Sequence, residues 1–342
     1  MRRGVGGTLR AVLGIVISVA SLAFVLSGVD LARTAEILGT AAPGWVILSV
    51  SLQASDVFLR AVRWQRLVAP IRAVRLTPML AYLLVGYLAN NILPARLGEL
   101  VRSHYLGDRE GISRASALGT VVVERVVDTA VVVSIGALAI LVLHVRGTVA
   151  SAVLIGAAVT GLLVVGLAVG ILAHRLPGAD RVIAFAERRP RIAGTGRRLH
   201  DGLAVARRPR TLAEAIVLSL AAWGASLLAV AAAGQALGIQ LTIGAAALLS
   251  AGVALATAIP SAPGYLGTFE LAAVTIGTAL GLSRDQALAL AVLVHASILT
   301  LTSVAGAGAF LRLGWARSSD EVAEVARGLV DGDSAPEPER GG

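Results

Sequence analysis

The stretch NNILPARLGELVRSHYLG, residues 90–107, ends the uncharged run from Leu76 to Ala95 and then brings in Arg96, Glu99, Arg102 and His104. Two amides and a proline stand before these charges. Such residues interrupt an apolar helix and introduce side chains that demand hydrogen-bond partners. How the chain tolerates them depends on what surrounds the stretch.

The chain has 342 residues, 56% of them hydrophobic and only 15% charged, with a mean hydropathy of +0.80. That balance is far from a soluble domain's. Other uncharged runs cover Ala11 to Val29, Val149 to Ala173 and Ala215 to Phe269. A helix needs about 20 apolar residues to cross the hydrocarbon, so the composition predicts an all-α, polytopic helical membrane protein. Arg2, Arg3 and Arg10 before the first run resemble a secretory leader, but its apolar stretch is long and further spans follow at once, so a retained first helix is expected. There is no cysteine, which excludes disulfides, zinc-thiolate sites, iron–sulfur clusters and thiol catalysis. All thirty basic residues are arginine, which with the Ala, Val and Gly richness points to a GC-rich bacterial genome.

The net charge of +9 is not spread as a nucleic-acid surface would be. Arg60, Arg63, Arg66, Arg72 and Arg75 form one cluster, and ten arginines between Arg175 and Arg210 form another. The positive-inside rule puts both clusters and both termini in the cytoplasm, beside anionic phospholipid headgroups. Spans at 11–29, 43–60, 113–143, 149–172, 213–234 and 285–312 satisfy the alternation. The segments 76–110 and 243–281 are left over, and each must return to the side it entered. Each is therefore predicted to be a helical hairpin, re-entrant or fully crossing, broken at Asn90, Asn91 and Pro94 in the first and at Pro260, Pro263 and Gly264 in the second.

The halves also resemble each other. GISRASAL (111–118) matches GLSRDQAL (281–288), and PARLG (94–98) matches PGYLG (263–267). The offsets, 170 and 169, fall on nearly one register. Corresponding spans then run in opposite directions, which predicts an inverted-topology repeat of three spans plus one broken hairpin, an architecture that places its site where the repeats meet. The units are expected at 1–145, at 146–312 with a basic loop at 173–212, and in a partly disordered tail at 313–342 with seven acids from Asp320 onward.

Within the spans, VVVERVVDTAVVV puts Glu124 and Asp128 on one helical face with Arg125 between them. One charge at mid-membrane costs about 2.5–3.5 kcal/mol on insertion scales, so such a group needs partners or water. It reads either as a headgroup or proton site or as a buried structural ion network. Arg96 and Arg102 have the chemistry for phosphate, and Glu99 for pairing with either or for a cationic group; a surface ion cluster is the other reading. Glu270 is the single charge of the second hairpin. Asp56 and Arg60, four residues apart, read as a helix-end pair, and His295, which the repeat sets opposite Arg125, as a hydrogen-bonded packing residue. Gly98, Pro263, Gly264 and Gly267 would shape the tips, with Pro94.

With these elements placed, the chain resembles the lysylphosphatidylglycerol synthase transmembrane-region family over about residues 8–312. NNILPARLGELVRSHYL, ERVVD and PSAPGYLGTFE carry the likeness. The resemblance implies movement of phospholipid between leaflets, and on matching positions it points to Asn91, Pro94, Arg96, Gly98, Glu99, Arg102, Glu124, Arg125, Asp128, Pro263, Gly264, Gly267 and Glu270. Tyr265 stands where a second glycine is expected. The basic loop is too short for the family's fused aminoacyl-transferase domain, so the expectation is a lipid translocase that is no enzyme and holds no cofactor or metal. The alternatives are a non-catalytic partner of a separately encoded synthase or transferase, and an intramembrane enzyme using Glu99, His104 or Glu124 as acid or base.

Overall fold

The structure, a computed structural model, describes residues 5–93, 97–172, 198–257 and 261–330. Pro94, Arg96, Pro260, the part 173–197 of the basic loop and the tail from 331 lie outside them. Among the described residues the long elements are eleven α-helices: α1 Val5–Leu26, α2 Leu31–Gly39, α3 Pro43–Val68, α4 Leu76–Ile92, α5 Gly98–Glu110, α6 Arg114–Leu143, α7 Thr148–Leu172, α8 Pro209–Ala236, α9 Ile243–Ala256, α10 Thr268–Ala279 and α11 Arg284–Val330. Helices α3, α6, α7, α8 and the first part of α11 are long and apolar enough to cross a membrane, and α1 with α2 forms a sixth, bent candidate. The chain is a multi-pass, all-α membrane protein.

Three boundaries differ from the sequence reading, one of them the end of the last span, expected at 312, since α11 runs on to Val330. Residues 30–43, expected as a loop, contain α2, turned 86° from α1. Asp30 starts it: its carboxylate accepts from the N–H groups of Ala32 and Arg33, satisfying donors that a helix start leaves open. Helix α3 also runs on to Val68, about two turns past residue 60. Arg60 and Arg63, assigned above to the cytoplasmic cluster, are therefore buried, Arg63 to 0% exposure.

Each hairpin segment is two helices. Helix α4 passes through Asn90 and Asn91 and caps at Leu93, so the asparagines lie just before the first break. The Asn90 side chain still closes it, accepting from the Gly98 N–H at 2.8 Å. Helices α9 and α10 are separated by a short 3-10 turn, Pro263–Tyr265. Gly264 (φ +67°), Tyr265 (φ +60°) and Gly267 (φ +84°) all lie in the left-handed region there. Tyr265, at the position where glycine was expected, adopts a backbone that glycine accepts freely and that costs other L-residues about 1–2 kcal/mol.

Helix starts keep the sequence offset: α5 and α10 begin at Gly98 and Thr268, α6 and α11 at Arg114 and Arg284. Packing partners exchange in the same register. Helix α4 packs on α11 as α9 packs on α6, α5 on α6 as α10 on α11, and α3 on α4 as α8 on α9. The most extensive contact joins the matched pair α3 and α8. Ala215, Ser219, Ala222, Ala229, Ala232 and Ala233 are buried on α8, and small residues let backbones approach closely where lipid supplies no hydrophobic drive. The Ser49 hydroxyl of α3 donates to the Ala229 carbonyl across this contact.

Candidate functional site: a charged cavity between two hairpins

Gln53, Asp56, Arg60 and Arg63 recur at helical spacing along α3 and share one face. Facing them are Glu124 and Asp128 of α6, one turn apart. Arg63 donates to Asp128 Oδ1 at 2.6 Å, to Glu124 Oε1 at 3.1 Å and to the Ser219 hydroxyl at 2.7 Å. Arg102 of α5 grips Glu124 with two bonds of 3.0 Å and lies 4.6 Å over the Trp64 ring. Arg60 bonds both Asp56 and Asp128 and lies over Trp223, whose indole N–H donates to Asp128. Arg125 adds a fourth bond to Glu124, 3.0 Å from Oε1.

These pairs explain how so many charges sit inside a membrane bundle: each carboxylate is met by at least one guanidinium, and aromatic faces cover two of the cations. Asp56, Glu124 and Asp128 against Arg60, Arg63, Arg102 and Arg125 leave one formal positive charge, four less three. The set is held in place by burial; Glu124 is 1% exposed.

The network forms one wall of a cavity of about 410 Å³ lined at the middle of α3, α6, α8 and α11. Asp56, Arg60, Arg125 and Asp128 reach it from this side, and Glu99 of α5 joins them with no ion pair among the described residues. With Glu99 the formal charges balance, four against four. Glu124 and Arg102, read from the sequence as candidate ligand groups, stand behind the wall in their mutual pair. His104 is at the surface beside Asp108, 3.0 Å away, and is not brought to the cavity.

The opposite wall comes from the second half and is apolar except at a few points. Leu249, Val253, Leu290, Val294 and Ile298 line it, together with Ser250 and His295. His295 is buried and hydrogen-bonded, as the sequence reading expected, and it also lines the cavity. Its Nδ1 lies 2.6 Å from Glu270 Oε1 and its Nε2 lies 2.8 Å from the Gly264 carbonyl oxygen. The other Glu270 oxygen accepts from the Gly267 N–H at 2.6 Å, so one carboxylate closes the start of α10 and binds the histidine. Asn91 ties the first hairpin to α11, donating to Thr302 and Ser303. The space beside Gly264, 3.7 Å from the position of an added Cβ, is filled by the Asn91 carbonyl oxygen, so the two tips meet.

Three polar atoms on lining residues, Gln53 Oε1, Arg125 Nε and Ser250 Oγ, are buried and have no hydrogen-bond partner among the described residues, although buried polar groups ordinarily find one. A space of this volume suits a small molecule or a lipid headgroup.

Of the residues singled out from the sequence, the structure brings Asn91, Glu99, Arg125 and Asp128 to this cavity and holds Glu124, Arg102 and Glu270 outside it, Glu124 paired with Arg63, Arg102 and Arg125 and Glu270 with His295. Arg63 and the inward placement of Arg60 and Asp56 were not expected from the sequence. The available signal was the spacing 56, 60, 63 on one helical face.

The glycosyltransferase AglD of Haloferax volcanii is 26% identical over 352 aligned residues, which take in 92% of this chain and 56% of that protein. A UPF0104 membrane protein of Methanocaldococcus jannaschii is 30% identical over 120 residues, 34% of this chain and 36% of the relative. The chain thus spans little more than half the length of the first relative and about a third of the second. No solved structure matches it. The profile of the lysylphosphatidylglycerol synthase TM region matches residues 11–306, and the chain belongs to that family.

Proposed function

We propose that this protein moves a phospholipid, or a related anionic or aminoacylated lipid, between leaflets, with the headgroup in the central cavity and the acyl chains in surrounding lipid. The observation that carries the reading is the cavity itself: a charged wall and an apolar wall at the middle of four membrane-length helices, with Gln53, Arg125 and Ser250 each holding a buried polar atom that no group among the described residues satisfies. A polar headgroup crossing the hydrocarbon needs such replacement for its water. Arg125 has the donors for a phosphate oxygen, and Glu99 can accept from a cationic headgroup. Arg96, beside the first tip in sequence, is a further phosphate candidate. Glu124, Arg102 and Asp128 act as positioning residues that fix Arg125 and Arg60.

Family membership supports this reading, since the family is named for the membrane region of a lipid-modifying synthase. The exchange of packing partners between halves supports an inverted duplication, and with it a site that can face either leaflet in turn. The charge pattern supports cytoplasmic termini in a bacterial inner membrane.

A second reading, a non-catalytic membrane partner of a lipid-modifying or glycosyl-transfer enzyme, is favoured by the name of the Haloferax volcanii relative, which this chain matches over 56% of its length. Leaflet exchange separates the two. The purified protein is reconstituted in liposomes with labelled anionic, zwitterionic and aminoacylated phospholipids. Exchange of one headgroup class above the protein-free rate is expected. Exchange of none, with or without a proton gradient, would leave the partner reading.

A further inference from the structure

Resting on the translocation reading, we infer that Glu270 and His295 together form a proton-binding site that locks the second hairpin tip when protonated and releases it when the proton leaves. The two contacts of His295 require two hydrogens. A backbone carbonyl only accepts, so the 2.8 Å contact of His295 Nε2 with the Gly264 oxygen needs a hydrogen on Nε2. The 2.6 Å contact of Nδ1 with Glu270 Oε1 needs a second hydrogen, on either atom. A neutral imidazole and a carboxylate hold one between them. Both contacts therefore exist together only when the pair carries an extra proton. If that proton leaves to water in the cavity, one contact becomes lone pair against lone pair and must open. Either the Gly264 carbonyl, at the tip, or Glu270, at the start of α10, is then released.

Placement supports a coupling role. His295 faces the central cavity. Glu270 lines a different space, about 380 Å³, walled by leucines of α1, α2 and α11, including Leu22, Leu26, Leu38 and Leu288, and by Leu266 just before α10. The pair is the partition between the two. Phe269 stacks on the imidazole at 4.0 Å. The tip it would release is strained at Tyr265 and docks on α1, where Ala262 N–H donates to the Ser18 hydroxyl. In the other half the repeat register puts Arg125 opposite His295, and arginine does not give up its proton. Of the two matched positions, one is a fixed cation and the other exchangeable.

The titratable groups facing the same cavity are Asp56 and Arg60 of α3, Tyr87 of α4, Glu99 of α5, Arg125 and Asp128 of α6, and Tyr265 of the tip, while α8 and α9 present none. In the leucine-walled space Glu270 is the only such group among the lining residues. Asp56, Arg60, Arg125 and Asp128 are ion-paired, so the test must separate His295 from Glu99 and the tyrosines.

Liposomes carrying wild type, His295→Arg and Glu99→Gln are compared under an imposed proton gradient, with the labelled phospholipids of the preceding test. In wild type the labelled lipid is expected to accumulate in the leaflet set by the gradient, up to about tenfold per pH unit if one proton moves per lipid. Any exchange that His295→Arg retains is expected to ignore the gradient. A wild-type leaflet ratio unaffected by the gradient, or a His295→Arg ratio that follows it as wild type does, would overturn the inference and leave translocation standing.

If no lipid moves in any sample, translocation falls and spectroscopy decides the proton site. Histidine ¹⁵N NMR, assigned by difference with His295→Gln, and the infrared carboxyl band, assigned with Glu270→Gln, are followed as pH is raised. A doubly protonated ring or a carboxylic acid that disappears on alkalinisation sustains the site. Neither signal at any pH refutes it.

Discussion

The two hairpins occupy matching places and carry different chemistry. Helices α4 and α5 bring Asn90, Asn91, Glu99 and Arg102 to the centre, and Arg102 joins a network of seven charged side chains that also draws on α3 and α6. Helices α9 and α10 bring Ser250 and, among the described residues, a single charge, Glu270, answered by His295. Both close at a glycine whose N–H meets a side-chain oxygen: Gly98 meets Asn90 and Gly267 meets Glu270. The comparison separates frame from function. Matching helix starts and packing partners build the frame, while charge is concentrated in one half, leaving the opposite wall apolar apart from a few polar groups. A cavity with one ionic and one apolar wall suits an amphiphile better than a symmetric ion path would.

The difference can be broken at its strongest point first. Glu124→Ala removes the carboxylate that meets Arg63, Arg102 and Arg125, leaving buried cations without compensation; a loss of about 3–5 kcal/mol is expected, read as a collapse of thermal stability in detergent. Stability near wild type would show the network to be water-filled. Next, Gly267→Ala adds a Cβ that runs into the Ser18 carbonyl oxygen at a φ of +84°. A cost of about 1–3 kcal/mol is expected from the backbone alone, measurable by the same melt. If Gly267→Ala melts like wild type, the tip is not clamped on α1.

Smaller effects sharpen the contrast. Asp108→Ala deletes an exposed pair with Arg114 at 2.6 Å and should shift stability by about 0.2–1 kcal/mol; a larger shift would mean that surface pairs share the load of the buried set. Glu99→Gln should change stability least, within about 0.5 kcal/mol, because its carboxylate has no ion pair among the described residues. It should nonetheless lose leaflet exchange. Full exchange in Glu99→Gln would remove Glu99 from the headgroup site.

Much of this frame is legible in sequence because apolar length is a strong physical signal. The runs ending near Val29, Leu143, Leu172 and Ala236 can be little else than spans, and the residues around Asn91, Pro263 and Gly264 interrupt helices for local reasons. The ERVVD triad stands out because charge in such a span is costly. Arg60 and Arg63 are harder: a charge near a helix end reads as interfacial until the helix is seen to continue through Val68. His295 looks inert because its partners, Glu270 and the Gly264 carbonyl, lie 25 and 31 residues away in sequence. The turn into α2 was signalled only by Gly28 and Asp30, too short a pattern to outweigh the apolar run before it.

The central claim, that the headgroup passes through this cavity, is tested most directly by blocking the cavity with a single thiol. The chain holds no cysteine, and Ser250→Cys replaces a hydroxyl that makes no hydrogen bond among the described residues. Val304→Cys, on an outer face of α11 at 68% exposure, is the control. Each is modified with a bulky maleimide, the extent confirmed by mass spectrometry, and leaflet exchange is measured. Modification at residue 250 is expected to lower exchange to the protein-free rate and modification at 304 to leave it unchanged. Undiminished exchange with residue 250 fully modified would contradict the account.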